Sequence, residues 1–221
     1  MGTAERKERE KIRRQNDILD AAEEVFFERG LKEATMEEVA EKAELSKGTL
    51  YLYFKNKEAL YLGINLRALA VLRRKFEESI RQYENAGSKL LAIGRAYIDY
   101  AAEFPNYFRT MNFVETMRFE PPEDIADDPL MRECQDTGMG VLQLIANIVE
   151  RGKNEGYFRP ELDPMKTAMI LWAAGNGVIQ LNQNKGAHFC ELHGFEKDFL
   201  LEEYMQFCER ALFINPPDIS K

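Results

Sequence analysis

An all-α chain is predicted by three features of these 221 residues. Apolar side chains return at helical spacing, glycine and proline fall between the periodic stretches, and Ser, Thr, Asp or Asn stands where many of them begin. The sequence carries no strand-period segment, internal repeat or low-complexity tract. The pattern divides the chain into a three-helix head with a helix-turn-helix, residues 1–60, and a larger helical body, residues 61–221.

The head opens on Thr3 to Gln15, where acids alternate with Arg6, Lys7, Arg9, Lys11, Arg13 and Arg14. Such a stretch either extends the first helix into solvent or lies along a DNA backbone, and the residues do not choose between these. Ile18, Ala22, Val25 and Phe26 form the stripe of the first firm helix. Gly30 followed by Leu31 reads as a left-handed stop with its hydrophobic contact.

From Thr35 to Lys57 the chain reads as two short helices joined by a tight turn. Thr35 and Glu38 form a capping box that starts a helix at Met36. Val39, Ala40 and Ala43 supply its buried face, and small Ala40 lets another helix cross closely. Leu45 plugs the turn and Ser46 caps the second helix, in which Leu50 and Phe54, four apart, face the core. Its other side offers Lys47, Gly48, Thr49, Tyr51 and Tyr53, groups suited to phosphates and base edges. Asn56 caps a third helix whose first residue is Lys57, so a cation and free amides point together at one phosphate. Between Ser46 and Lys57 there are three lysines and no acid.

The run GLKEATMEEVAEKAELSKGTLYLYFKNKEAL, Gly30 to Leu60, resembles the helix-turn-helix of the TetR family of transcription regulators. The likeness covers the first quarter of the chain, including the preceding helix ILDAAEEVFFERG. It implies double-stranded DNA, as a palindromic operator, for a partner, met by Thr35, Ser46, Lys47, Gly48, Thr49, Tyr51, Tyr53 and Lys57. It also implies a larger domain that holds an effector, and a homodimer built from the last two long helices of each chain. Glu44 stands where many members have glycine; a non-glycine residue at positive φ there costs on the order of 1 kcal/mol.

In the body, an interval without glycine or proline from Lys57 to about Glu84 predicts one continuous helix, ended by Asn85, Ala86 and Gly87. Ser88 is expected to cap the next, which runs to Phe104. Pro105 opens a segment dense in Phe104, Tyr107, Phe108, Met111, Phe113, Met117 and Phe119. Of these, Phe104, Tyr107, Phe108, Met111 and Met117, with Tyr97, Trp172 and Asn176, are the candidate lining of a pocket for a small apolar or amphipathic effector, although plain core is an equal reading of any one of them. Prolines 121, 122 and 129 bracket an acidic loop, Glu123 to Asp128. A helix follows from about Leu130 to Asn154, stopped by Gly156. Asp163 and Pro164 then start a helix to about Asn184 that is apolar on more than one face and so needs a second cover, a partner copy. The last helix, about Glu196 to Phe213, repeats apolar residues at helical spacing. Val178, Leu181, Phe199, Tyr204 and Phe207 are the candidate dimer residues.

A net charge of −8 argues against an unspecific nucleic-acid binder and for a basic surface that is local. Three widely separated cysteines predict no disulfide framework and a reducing compartment. The polar N-terminus and the interrupted apolar run Ala168 to Leu181 predict a cytoplasmic protein without a membrane span. His188, Cys190, Glu191 and His193, expected in a loop, are of ligand type, but their spacing matches no standard motif, so no metal or cofactor is predicted. No nucleophile elbow or phosphate-cradling loop marks an enzyme. The reading is a ligand-released homodimeric repressor. The alternatives are a DNA-bound regulator answering to a protein partner and a helical ligand-binding protein that has lost DNA binding.

Overall fold

The computed structural model of the chain describes residues 2–30, 32–116 and 129–214. Leu31, Met117, Phe119, the prolines at 121 and 122, the acidic loop and the side chain of Phe113 lie outside that description. The described residues form helices α1 (Thr3–Arg29), α2 (Met36–Lys42), α3 (Lys47–Tyr53), α4 (Lys57–Ser79), α5 (Ala86–Glu103), α6 (Pro105–Thr116), α7 (Pro129–Asn154), α8 (Pro164–His193) and α9 (Phe199–Leu212). One isolated antiparallel bridge pairs Phe158 with Phe213. None of these helices is long and apolar enough to cross a membrane.

Several boundaries differ from the sequence reading, each for a local reason. The acid-base stretch is helical from Thr3, continuous with the stripe at Ile18, and residues 5–13 of it are exposed. Helix α4 ends at Ser79 rather than near Glu84. The cap of α5 is Asn85, not Ser88: its Oδ1 accepts the Ser88 N–H at 2.7 Å, and Ala86 and Gly87 lie inside the helix. Helix α8 continues past Asn184 to His193, because its left-handed terminator is Gly194, at φ 70°, whose N–H bonds the Cys190 carbonyl. The segment His188–His193 is therefore helix rather than loop. Among the described residues, no three His, Cys, Asp or Glu side chains gather within reach of a metal ion.

The chain forms two compact units, residues 1–68 with 109–134, and 69–108 with 135–221. Helices α4, α6 and α7 each contribute to both. In the first unit Ile18, Ala22 and Phe26 of α1, Val39 and Ala40 of α2, Leu50 of α3, and Leu60 and Ile64 of α4 are buried. The Arg67 guanidinium on α4 binds three places on α1: Asp20 at 2.7 Å, Glu23 at 3.0 Å, and both the carbonyl and side-chain oxygen of Asn16. Burial disfavours its charge, but the Glu23 and Asp20 hydrogen bonds outweigh that and hold the guanidinium protonated. Tyr61 donates to the Thr110 carbonyl, and burial pushes its hydroxyl up to about 12.

The turn between α2 and α3 holds Glu44 at φ 54°, in the left-handed region. Glu44→Gly removes a strain of about 1 kcal/mol and adds back part of it as unfolded-chain entropy. The expected result is a small rise in the melting temperature of the chain, by about 0.5 kcal/mol in stability, read by calorimetry.

In the second unit Tyr97 is the hub. Its ring stacks on Trp172 at 5.2 Å, meets Phe76 edge-on at 6.0 Å and lies 5.8 Å from Phe108, while its hydroxyl donates to the Asn176 side-chain oxygen. Helix α7 ends where Phe158 folds back over Gly152 and packs edge-on against Phe213 at 4.7 Å.

Candidate functional site: the reading face and the body cavity

Helix α2 starts on the Thr35–Glu38 capping box. The Thr35 N–H donates to Glu38 Oε2 at 2.9 Å and the Glu38 N–H to Thr35 Oγ1 at 3.2 Å. The Thr35 bonds hold the Glu38 carboxyl below its usual range, and Arg29 pairs with it. At α3 the Ser46 hydroxyl accepts the Thr49 N–H at 3.1 Å and lies 2.8 Å from the Thr49 hydroxyl. Leu50 and Phe54 are the buried residues of this stretch, as their spacing requires. The other side is open. Thr35, Ser46, Lys47 and Gly48 are exposed, Tyr51 is 46% exposed, and Thr49 and Tyr53 are half-buried. A Cβ at Gly48 would meet only the Ser46 hydroxyl, so a phosphate can come close to the backbone there.

Two residues of this face were not legible as such. Leu52 is 82% exposed, between Tyr51 and Tyr53. Its place two residues after buried Leu50 signals that it cannot share the buried side. An exposed apolar side chain on a reading helix suits a thymine methyl. The second is Glu37 of α2, whose carboxylate lies 2.5 Å from the Lys47 ammonium. The Lys47 hydrogen bond holds that carboxyl below its usual range. The interval is free of acid along the chain but not in space, and no short-range pattern connects residues ten apart across a turn.

Lys57 is placed differently from a free anchor. Its ammonium donates to the carbonyls of Lys32 and Ala34, both at 3.0 Å, tying the start of α4 to the loop before Thr35. An ammonium has three N–H groups, so one remains for a phosphate. Asn56 caps α4 as expected, accepting the Ala59 N–H at 2.8 Å.

Of the candidate effector residues, Tyr97, Phe108, Trp172 and Asn176 come together. Tyr97 and Trp172 line an apolar cavity of ≈ 70 Å³ with Phe76, Ile145, Gly175 and Tyr204. Asn176 binds the Tyr97 hydroxyl. Phe108 lies 5.8 Å from the Tyr97 ring, and Phe104 lies 5.7 Å from Tyr100 and stacks 6.1 Å from Tyr107. Met111 is buried in the first unit.

The candidate dimer residues also divide. Along α8, Ile170 (67% exposed), Ala173, Gly177 and Leu181 (42%) share one solvent-facing stripe, and on α9 Phe207 is 64% exposed. Val178 is half-buried. Phe199 is half-buried, 4.4 Å from Phe195. The Tyr204 hydroxyl donates to the Leu171 carbonyl at 3.0 Å, and burial keeps its phenol protonated well above the usual range.

A capped reading helix set on a second capped helix, showing lysine, hydroxyl and phenol groups outward, defines a helix-turn-helix DNA-binding regulator. The family model for bacterial regulatory proteins of the tetR family matches residues 18–64, and that for the tetracyclin repressor-like C-terminal domain matches residues 90–205. The chain belongs to the TetR family of transcription regulators. It is 32% identical over 147 residues to the fatty acid metabolism regulator protein of Bacillus subtilis, covering 66% of this chain and 71% of that one. It is 29% identical to the uncharacterized HTH-type transcriptional regulator YhgD of the same organism, covering 72% and 79%. Two similar solved structures share the fold. The fatty acid degradation regulator FadR of Bacillus halodurans has a TM-score of 0.64 at 21% identity, covering 88% of this chain and 93% of that one. The ketosteroid transcriptional regulator KstR2 of Mycobacterium tuberculosis has a TM-score of 0.62 at 17%, covering 91% and 96%.

Proposed function

We propose that the chain is a homodimeric repressor that binds a palindromic operator through a DNA-reading head, residues 1–60, and is released when a small apolar or amphipathic molecule enters its body, residues 61–221. The observation that carries this reading is the Ser46-capped helix, whose solvent side shows Lys47, Gly48, Thr49, Tyr51 and Leu52. Helix α4 supplies the connection: it begins at Lys57 beside the reading helix and carries Phe76, a wall of the body cavity. A ligand that favours one setting of the cavity walls biases α4 and with it the separation of two paired heads. By linkage, ligand and operator then weaken each other equally. Relatives named for fatty acid and ketosteroid regulation support a hydrophobic effector.

The test is operator affinity at several salt concentrations. Affinity should fall steeply with salt. Lys57→Ala should lower both affinity and slope, the slope by about 0.9 for one lost phosphate contact. A wild-type slope in that variant would leave Lys57 as a strut of the α1–α2 loop only. Thr49→Ala should change sequence preference in a randomised-site selection, because its hydroxyl and methyl stand near the start of the reading helix.

A further inference from the structure

We infer that the body cavity is one half of a two-compartment site. Met205 is the door between the halves, and the inner half takes a single unbranched hydrocarbon chain whose polar end stays in the outer groove. The inference rests on the effector reading above and names the chemistry and route of the ligand.

Three observations carry it. First, the two hydroxyls at the inner cavity bond within the protein, Tyr97 to Asn176 and Tyr204 to the Leu171 carbonyl, and the other polar lining side chains include Cys208 and Glu209, the latter on the wall shared with the outer groove. The rest of the wall is largely aliphatic and aromatic, with Leu91, Ile98, Ile145 and Ile179 prominent. A guest there meets chiefly apolar surface, which suits an apolar one. Second, the inner cavity, ≈ 70 Å³, is smaller than the about 150 Å³ that holds a benzene ring, so it does not admit a ring system as it stands. Third, an outer groove between α5 and α9, ≈ 450 Å³ and lined also by Arg95, Glu202 and Gln206, shares Leu91, Ile98, Met205 and Glu209 with it. At this wall the Met205 Sδ and Cε both lie 2.8 Å from where a Cβ on Gly94 would stand, so the thioether lies directly on the α5 backbone. Methionine is the side chain suited to this place: unbranched, with several rotatable bonds, and about the width of the chain that would replace it. When it swings out, the two spaces join into one channel that is narrow and apolar inside, open and polar outside.

The sole tryptophan, Trp172, lines the inner cavity and reports its filling. The experiment titrates the full chain with straight-chain primary alcohols from hexanol to dodecanol and follows Trp172 fluorescence at equilibrium and in stopped flow. The expected result is saturable binding that strengthens about fourfold with each methylene until the cavity is full. Met205→Ala should speed association at least tenfold. Gly175→Val, whose Cβ would stand 3.4 Å from the Tyr97 ring, should fill the cavity and weaken binding at least tenfold. Cys208→Leu fills the same space from α9 and serves if Gly175→Val does not fold. Affinity that ignores chain length, an unchanged association rate in Met205→Ala, or wild-type binding in the folded cavity-filling variant would each overturn the inference. Operator affinity measured in the same samples separates the two readings. Alcohols that fill the cavity and leave operator binding unchanged defeat the effector reading alone. An effector that releases the operator while alcohols never reach Trp172 defeats only the two-compartment site.

Discussion

Phe207→Glu combined with Leu181→Glu is expected to run as a monomer by light scattering and to lose operator affinity by about 10²- to 10⁴-fold, the gain that two linked heads obtain over one. Both side chains stand in solvent, Phe207 at 64% and Leu181 at 42%, and Ile170, Ala173 and Gly177 are exposed with Leu181 along α8. The small residues in that stripe let a partner helix come close, and the large ones flanking them supply the apolar area. A closed two-fold dimer places the same stripe opposite itself, so one substitution puts a carboxylate on both sides of the seam. Since neither residue contributes to the buried core, helix content and melting of the monomer should stay near wild type. A variant that remains dimeric would move the interface off this face. One that is monomeric and still binds the full operator with wild-type affinity would remove the need for paired heads.

Gly152→Ala is expected to cost about 3 kcal/mol, at the upper end of what overpacking a core causes. For a chain of this size that lowers the melting temperature by roughly 6–12 °C. A Cβ at residue 152 would overlap the ring of Phe158. The ring cannot retreat: it is fully buried, packs edge-on against Phe213, and its backbone is fixed by an N–H bond to the Gly152 carbonyl at 3.2 Å. The strain therefore goes into the end of α7 and the bridge that holds the end of α9. Gly152→Ala with Phe158→Leu should recover part of the loss, measured by the same thermal scans. If the single variant melts like wild type, the Phe158 ring does not lie over Gly152.

How far the sequence could be read depended on the range of the interaction involved. Capping is local, so the Thr35 box, the Ser46 and Asn56 caps and the Asp163–Pro164 start were all legible, and with them most of the helix order. Helix ends were less so. Asn85 and Ser88 are both capping residues three apart, and only the backbone decides which one accepts and which one donates. Gly186 and Gly194 both resemble a stop, and the first is simply buried within α8. Pairings across the fold left still less trace. Density of aromatic residues pointed to Phe104 through Met111, whereas the cavity on the described residues is lined by Tyr97 and Trp172, far apart in the chain. The better signal was Gly94, a residue without side chain in the middle of an apolar helix, because it marks where another side chain must lie against the backbone. Likewise Lys57 and Glu37 were visible as charges, but their partners, two carbonyls and Lys47, come from other segments.

The ties that hold α4 to its neighbours set a limit on how such a protein adapts to DNA. Lys57 fastens one end of its first turns to the loop before α2, and Arg67, three turns on, fastens the other to Asn16, Asp20 and Glu23 of α1. A three-helix unit pinned at both ends behaves as a solid block, with little freedom to re-aim its reading helix. In the homodimer proposed above, tolerance for an operator would come from the distance between two such blocks, not from give within either one. Inserting a single base pair between half-sites turns one of them by about a tenth of a helical turn, which a rigid block cannot follow. A homodimer of this kind is expected to discriminate by ruler as well as by letter.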